Sequence, residues 1–428
     1  MDVLPALLGV GYICGARVSS YIFAGGVIGW FVLMPLIALF GADLTIFPAS
    51  VPVSELGASG IWSNYIRYIG AGAVAAGGII SLVKNLPLIA KTFRQALKSY
   101  GSKGNGDNSR LNKDIPMNIV ILTIGIMAII MWLVPAVPVS LLGAIIIVIF
   151  GFFFATVSSR MVGIVGSSNN PVSGMAIATL LITTMILKAT GTIGMPGMVA
   201  SIAIGSVICI IAAIAGDTSQ DLKTGYLVGA TPWKQQVGEI IGVAASAIAI
   251  GGVLYLLNAA WSYGSSAIPA PQATLMKMVV EGVMGGNLPW VLVFAGVGIA
   301  VVVEILGIPV LPFAVGLYLP IYLSTPMIVG GLIRLYFDKK KGESEEEKKR
   351  KVENGVLYSS GLIAGEGLVG ILLAVCAVIP FKGETFADAF NLSAIFGFSL
   401  GNIGGLVFFA LLAVTLILFI RGKKKKEN

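Results

Sequence analysis

The nineteen residues from Val139 to Val157, VSLLGAIIIVIFGFFFATV, hold no charged side chain and no proline. Coiled as a helix they are about 28 Å long, close to the roughly 30 Å hydrocarbon core of a bilayer, so they read as a membrane span. Runs of the same kind recur on both sides. Towards the N-terminus they lie near Ser20 to Phe40, Ile66 to Val83 and Ile115 to Val134. Towards the C-terminus they lie near Val172 to Lys188, Pro196 to Ala215, Gly238 to Leu257, Leu288 to Leu306, Gly355 to Val378 and Gly401 to Ile420. A region from Pro309 to Tyr336 is equally apolar but is cut by Pro312, Pro320 and Pro326. The expected fold is an all-α polytopic membrane bundle, 1–428 forming one transmembrane domain, with about 11 to 12 spans and re-entrant or broken segments.

Composition agrees. Hydrophobic residues fill 57% of 428 positions and charged residues 11%, a balance that needs lipid as solvent. Twenty of the 28 bases fall in three stretches: Lys84 to Lys113, Arg334 to Lys351, and Arg421 to Lys426. Bases beside apolar spans and without interleaved aromatics indicate topology and argue against nucleic acid. By the positive-inside rule, residues 84–114 form a cytoplasmic basic loop, 337–354 a charged cytoplasmic linker and 421–428 a basic cytoplasmic tail. The connections 41–60 and 259–287 carry little positive charge and are expected outside. Counting crossings then leaves one too many or too few before Arg334. Either Pro271 to Gly286 dips in as a half-helix, or the broken Pro309 to Tyr336 region re-enters. Both options point at a translocation path, because irregular backbone at membrane depth needs protein or water around it.

Gly15 to Ile28 (GARVSSYIFAGGVI) resembles Gly316 to Ile333 (GLYLPIYLSTPMIVGGLI), and Tyr68 to Leu82 resembles Tyr358 to Leu372. The charge rule puts the loop between the two segments outside in the first copy and inside in the second, as an inverted repeat requires. Chance similarity among glycine-rich apolar segments is the competing reading.

The chain has no histidine, and its three cysteines, Cys14, Cys209 and Cys376, stand far apart in apolar runs. Imidazole metal sites and Ser-His or Cys-His nucleophile pairs are thereby excluded, no cofactor or resident metal is expected, and an enzyme is disfavoured. The stretch Ile214-Ala215-Gly216-Asp217 stands where a GxGD protease motif would need a second glycine. No GxxxxGK[ST] loop occurs, which argues against ATP-driven transport within the chain.

Two polar stretches interrupt the spans. In Ser167 to Met175, the residues Asn169, Asn170, Pro171, Ser173 and Gly174 combine amides, a hydroxyl and a proline at a helix start, whose free N–H groups suit an anionic group of a solute. An Asn-capped polar loop is the plainer account. In Gly216 to Gly225, Asp217, Ser219, Gln220 and Asp221 make a dense polar turn in which the two acids, four apart, share a face. A solvated loop with Lys223 as counter-ion explains them as well. Glu239, Glu304 and Glu366 lie inside apolar runs, where an ionisable group is costly and marks a functional path by default. Glu366, flanked by Gly361, Gly365, Gly367 and Gly370, is the expected proton-coupling carboxylate, with Glu304 next; Glu239 is expected to reach Lys234 or water.

At SSNNPVSGM, GDTSQDLKTGYLVGATPWKQQVGEIIGV and PAPQATLMKMVVEG the chain resembles the oligopeptide transporter (OPT) family, which includes yellow stripe-like metal-chelate carriers. The resemblance covers essentially the whole chain, in the family's order. It implies a proton-coupled importer of short peptides, peptide-like molecules or metal chelates, with a helical fold containing internal repeats. It also implies a site on Asn170, Pro171, Ser173, Gly174, Asp217, Ser219, Gln220 and Asp221. Family members continue for several spans upstream of LPALLGVGYICGARVSS, so the chain is expected to be the C-terminal portion of a longer transporter, with Leu4 to Ala16 too short to span upright. A passive channel, or a subunit needing an upstream partner chain or a homo-oligomer, is the alternative.

Overall fold

The computed structural model describes residues 3–100, 110–165, 172–265, 268, 270–285, 288–340, 342, 344–381, 384–389 and 401–421. The chain opens with helix α1 (Pro5–Val27), which passes through a π-helical turn at Ile28–Leu33 into α2 (Met34–Gly41). Next come α3 (Val53–Ile61), a second π-helical turn at Trp62–Ile66, and α4 (Arg67–Tyr100). The central helices are α5 (Met117–Leu133), α6 (Leu141–Val165), α7 (Val172–Ala189), α8 (Gly194–Val228), α9 (Pro232–Trp261) and α10 (Pro271–Gly285). The last third holds α11 (Trp290–Ile305), α12 (Val310–Tyr318), α13 (Ile321–Asp338), α14 (Glu345–Val378), α15 (Phe386–Ala389) and α16 (Gly401–Arg421). A two-residue antiparallel pair, β1 (Pro380–Phe381) with β2 (Glu384–Thr385), links α14 to α15.

Among the described residues, six helical runs are long and apolar enough to cross a membrane by length and composition, and Met117–Leu133, Met175–Ala189 and Trp290–Ile305 are shorter apolar helices. Large apolar side chains such as Phe31, Leu122, Ile248, Val291 and Leu418 are exposed along them. On a soluble protein these would be a liability, whereas on a span they face lipid. The protein is therefore a multi-pass helical membrane protein.

The chain divides into two compact units, one built from Met1–Val74, Gly252–Pro271 and Pro289–Asn428, the other from Ala75–Gly251 and Gln272–Leu288. In the first unit, α1 is interrupted at Gly15, where φ is 80° and ψ 169°, a conformation only glycine adopts without strain. The segment expected to be too short to span thus joins the following one as a 37-residue run from Pro5 to Gly41 broken at this point. α12 and α13 are likewise separated by extended Leu319 and by Pro320, which lacks the N–H to continue α12.

These two broken elements lie antiparallel, and their contacts exchange between copies. The equivalence that lays Gly25-Gly26 on Gly330-Gly331 also lays Leu8 on Phe313, Gly11 on Gly316, Ser19 on Ser324 and Ile22 on Met327. Gly25 abuts the Phe313 backbone, and Gly330 abuts that of Leu8. Gly11 abuts Met327, and Gly316 abuts Ile22. Gly26 meets the Ser324 hydroxyl, and Gly331 meets Ser19. A Cβ added at Gly11, Gly25, Gly316 or Gly330 would come under 3.0 Å from a backbone atom of the facing helix, closer than Cβ atoms pack. The similarity of the two segments is thus carried into matched antiparallel packing.

In the second unit, α6, α7, α8 and α10 share a core that includes Ile147, Phe154, Met175, Leu180, Leu187, Ile204, Ile208, Val280 and Met284. Four of its hydroxyls are taken by backbone carbonyls, Thr179 donating to Met175, Thr184 to Leu180, Ser201 to Gly197, and Ser158 across to Ala212 of α8, while the buried Thr183 hydroxyl has no partner among the described residues. The half-helix considered for Pro271 to Gly286 is observed as α10, fifteen residues or about 22 Å long, shorter than a span needs.

Three sequence-derived boundaries move. The basic segment from Lys84 is helical up to Tyr100, as the continuation of α4. The charged linker is helical from Glu345, where Ser344 and Glu347 form a reciprocal capping box that starts α14 ten residues before the expected span. The polar turn expected at Gly216 to Gly225 is a continuous part of α8, which ends at Gly229 in a left-handed cap just before Pro232.

Candidate functional site

Asn169, Asn170 and Pro171 lie outside the described residues. Ser173 and Gly174 fall in the first turn of α7. Asp217, Ser219, Gln220 and Asp221 ride on α8, so their arrangement follows the helix period: Asp217 and Asp221 share one exposed stripe, and Ser219 faces α6. There the Ser219 hydroxyl donates to the Ser159 carbonyl at 2.7 Å, a bond that ties α8 to α6. The Asp221 carbonyl accepts from Gln235 Nε2 of α9, also at 2.7 Å. The helix therefore separates the expected binding residues, with Ser219 and the Asp221 backbone serving interhelical packing while the Asp217 and Asp221 carboxylates remain exposed. Among the described residues no group of three or more Cys, Asp or Glu side chains is placed to hold a metal ion.

Glu366 is half-buried on α14, and its carboxylate accepts the N–H of Ala6 at 2.5 Å, in the first turn of α1. Pro5 starts that helix, so Ala6 presents an N–H with no intrahelical partner and a positive helix end that suits a carboxylate. The glycines around Glu366 do not serve close packing: a Cβ at Gly361, Gly365, Gly367 or Gly370 would meet no described atom within 4 Å. Glu304 stands in the last turn of α11, where its carbonyl accepts the N–H of Gly307.

Glu239 has a different environment from the one expected. The Lys234 ammonium sits over the Trp233 ring, 5.9 Å from its centroid, and the Thr218 side chain of α8 stands beside Glu239. Its Oε1 is buried without a hydrogen-bond partner. Thr218, Gln236 and Asp114 gather with it around a cavity of about 440 Å³. Thr218 lies within the polar stretch, yet the sequence signal drew attention to its neighbours. Only the helical continuation of α8 puts it opposite α9.

Interrupted antiparallel helices in a multi-pass membrane bundle are found in many transporter folds. The comparisons narrow this class. Residues 1–377 match the OPT oligopeptide transporter protein family, and the chain belongs to that family. It is 29% identical to a Haemophilus influenzae protein described as "Putative oligopeptide transporter" over 439 residues, covering 90% of this chain and 68% of that protein. It is 25% identical to "Probable metal-nicotianamine transporter YSL11" of Oryza sativa, covering 88% of this chain and 57% of that protein. A Saccharomyces cerevisiae protein described as "Putative oligopeptide transporter YGL114W" is 25% identical, with 88% and 59% covered. The chain thus spans between 57% and 68% of the length of these relatives.

Proposed function

We propose that the chain carries out secondary active transport, the proton-coupled uptake of short peptides, peptide-like molecules or metal chelates. The observation that carries this reading is the antiparallel pair of broken helices in the first unit of a chain belonging to an oligopeptide transporter family. Such a pair leaves helix ends and free backbone groups at membrane depth, where they serve a solute and its coupling ion. A second reading makes the chain a passive pore or a subunit completed by another chain. Uptake into proteoliposomes across a panel of small peptides and metal chelates, with and without an imposed pH gradient, separates the two. Accumulation that requires the gradient supports the carrier. Gradient-independent equilibration supports the pore, and no uptake by the chain alone supports the subunit.

Within this reading the Asn-rich break before α7 lines the solute path, and the start of α7 offers its first N–H groups to an anionic part of the solute. Asn170→Ala and Ser173→Ala should each weaken substrate binding by roughly tenfold, the scale of one charge-assisted hydrogen bond, at normal expression. Unchanged binding in both variants moves the site elsewhere.

The proposed topology places 84–114, 334–354 and the C-terminus in the cytoplasm and 259–287 outside. In a cysteine-free background, a cysteine at Ser102 or Ser344 should resist an impermeant thiol reagent in intact cells, and one at Ser265 should react. Labelling of Ser344→Cys from outside overturns this assignment.

A further inference from the structure

In the second unit, four hydrogen bonds fix the residues before α5 against the turn between α8 and α9. Arg110 donates to the Gly229 carbonyl at 2.9 Å, and the Trp233 N–H donates to the Lys113 carbonyl at 3.0 Å. The Ile115 N–H donates to Gln236 Oε1 at 3.1 Å, and Gln236 Nε2 reaches Asp114 Oδ1 at 3.4 Å. These bonds make a rim. Inside it lies the cavity of about 440 Å³, large enough for a small organic solute.

The walls of this cavity divide by chemistry. Asp114, Thr218, Gln236 and Glu239 supply the polar side, and Ile115, Met117, Val120, Ile214, Ile240 and Val243 the apolar side. No lysine or arginine is among the described lining residues. Of the bases nearest in sequence, Lys113 is exposed and does not line the cavity, Lys234 sits on the Trp233 ring and Arg110 on Gly229. The Gln236 oxygen is already taken by Ile115, whereas Glu239 Oε1 has no donor. A buried carboxylate oxygen without a donor costs stability until something supplies one. Two carboxylates and one hydroxyl are too few for a divalent cation, and the apolar wall excludes a strongly hydrated one. A primary ammonium fits both halves: it has a positive charge and three N–H donors, and its alkyl part rests on the isoleucine and valine side.

We infer that the cavity bounded by α5, α8 and α9 binds a protonated primary amine, with Glu239 and Asp114 balancing the charge and Thr218 orienting Glu239. The amine belongs either to a soluble solute or to a phosphatidylethanolamine headgroup; the chemistry is shared. Binding is an equilibrium property of this cavity and does not depend on the transport reading.

The test uses the full chain in detergent, with hexylammonium, hexanoate and hexanol titrated calorimetrically in the absence of any gradient. Hexylammonium should bind and the other two should not. Glu239→Gln keeps the shape and removes the charge, and should weaken hexylammonium by roughly tenfold or more. Ile240→Trp fills the cavity from its exposed apolar wall, leaves Glu239 intact, and should give a comparable loss; it keeps the question open to measurement should the first variant misfold. In nanodiscs, competition by phosphatidylethanolamine assigns the amine to lipid, and indifference to it assigns the amine to a soluble solute. Failure of the wild-type chain to bind hexylammonium, wild-type affinity in both variants, or equal binding of hexanoate overturns the inference.

Discussion

Gly316→Ala should lower the stability of the first unit by roughly 3 kcal/mol or more, the upper range for overpacking, because the added methyl would meet backbone on the facing helix. Its Cβ would lie under 3.0 Å from the Ile22 carbonyl group of α1, which has no rotamer by which to move aside. Gly11→Ala should cost a similar amount, since it meets the Met327 backbone in the matching position of the other copy. Gly298→Ala on α11 is the comparison. No described atom lies within 4 Å of its Cβ, so it should be neutral or gain up to about 1 kcal/mol of helix propensity. Thermal-unfolding midpoints of the purified chain in detergent, read for all three variants, check the order. Equal midpoints for Gly316→Ala and Gly298→Ala would falsify the tight antiparallel crossing.

Glu366→Gln should abolish accumulation driven by a pH gradient while leaving substrate exchange in place. A carboxylate in an apolar helix is expensive, so its presence needs a return. Its hydrogen bond with the Ala6 N–H supplies part of one, by holding α14 on the start of α1. Glutamine retains an acceptor oxygen for that N–H but neither releases nor takes up a proton. Under the coupling proposal, the roughly tenfold accumulation available per coupled proton and pH unit falls to equilibration. Glu366→Leu removes the acceptor as well, and should cost about 1–3 kcal/mol by orphaning the Ala6 N–H. If Glu366→Gln still concentrates substrate in response to the gradient, Glu366 is only an anchor for α1, and Glu304 is the next carboxylate to test.

The apolar helices were legible because each is a nearly unbroken apolar run, and α5, α7, α11 and α16 begin and end within a few residues of where composition puts them. The ends that moved are those where polarity and helicity part company. Asp217 to Thr224 contains no proline or glycine, so α8 carries the polar residues onward as a helix. Ser344 and Glu347 start α14 inside a run of charges for the same reason. The break at Gly15 was not legible: with 55 glycines in the chain, nothing local distinguishes Gly15 from the many that pack or face lipid. The repeat was visible as sequence similarity, but the matched crossing of Gly11, Gly25, Gly316 and Gly330 depends on contacts between distant segments. The same holds for Thr218 and Glu239, which sit on different helices; Lys234, the neighbour in sequence, was the wrong partner.

The crossing of α1 with α12 and α13 also sets an order of events during biosynthesis. Tyr12 and Arg334, which touch across it, are 322 residues apart in the chain. At roughly 5–20 residues per second, α1 waits on the order of 15–60 s in the bilayer before its partner is made. Throughout that interval the backbone at Gly15, with Arg17 and Ser19 beside it, lacks the cover of α12 and α13. The crossing cannot form until the last third of the protein arrives. Proteins truncated before Ile321 should accordingly be cleared by membrane quality control even though most of their spans are complete.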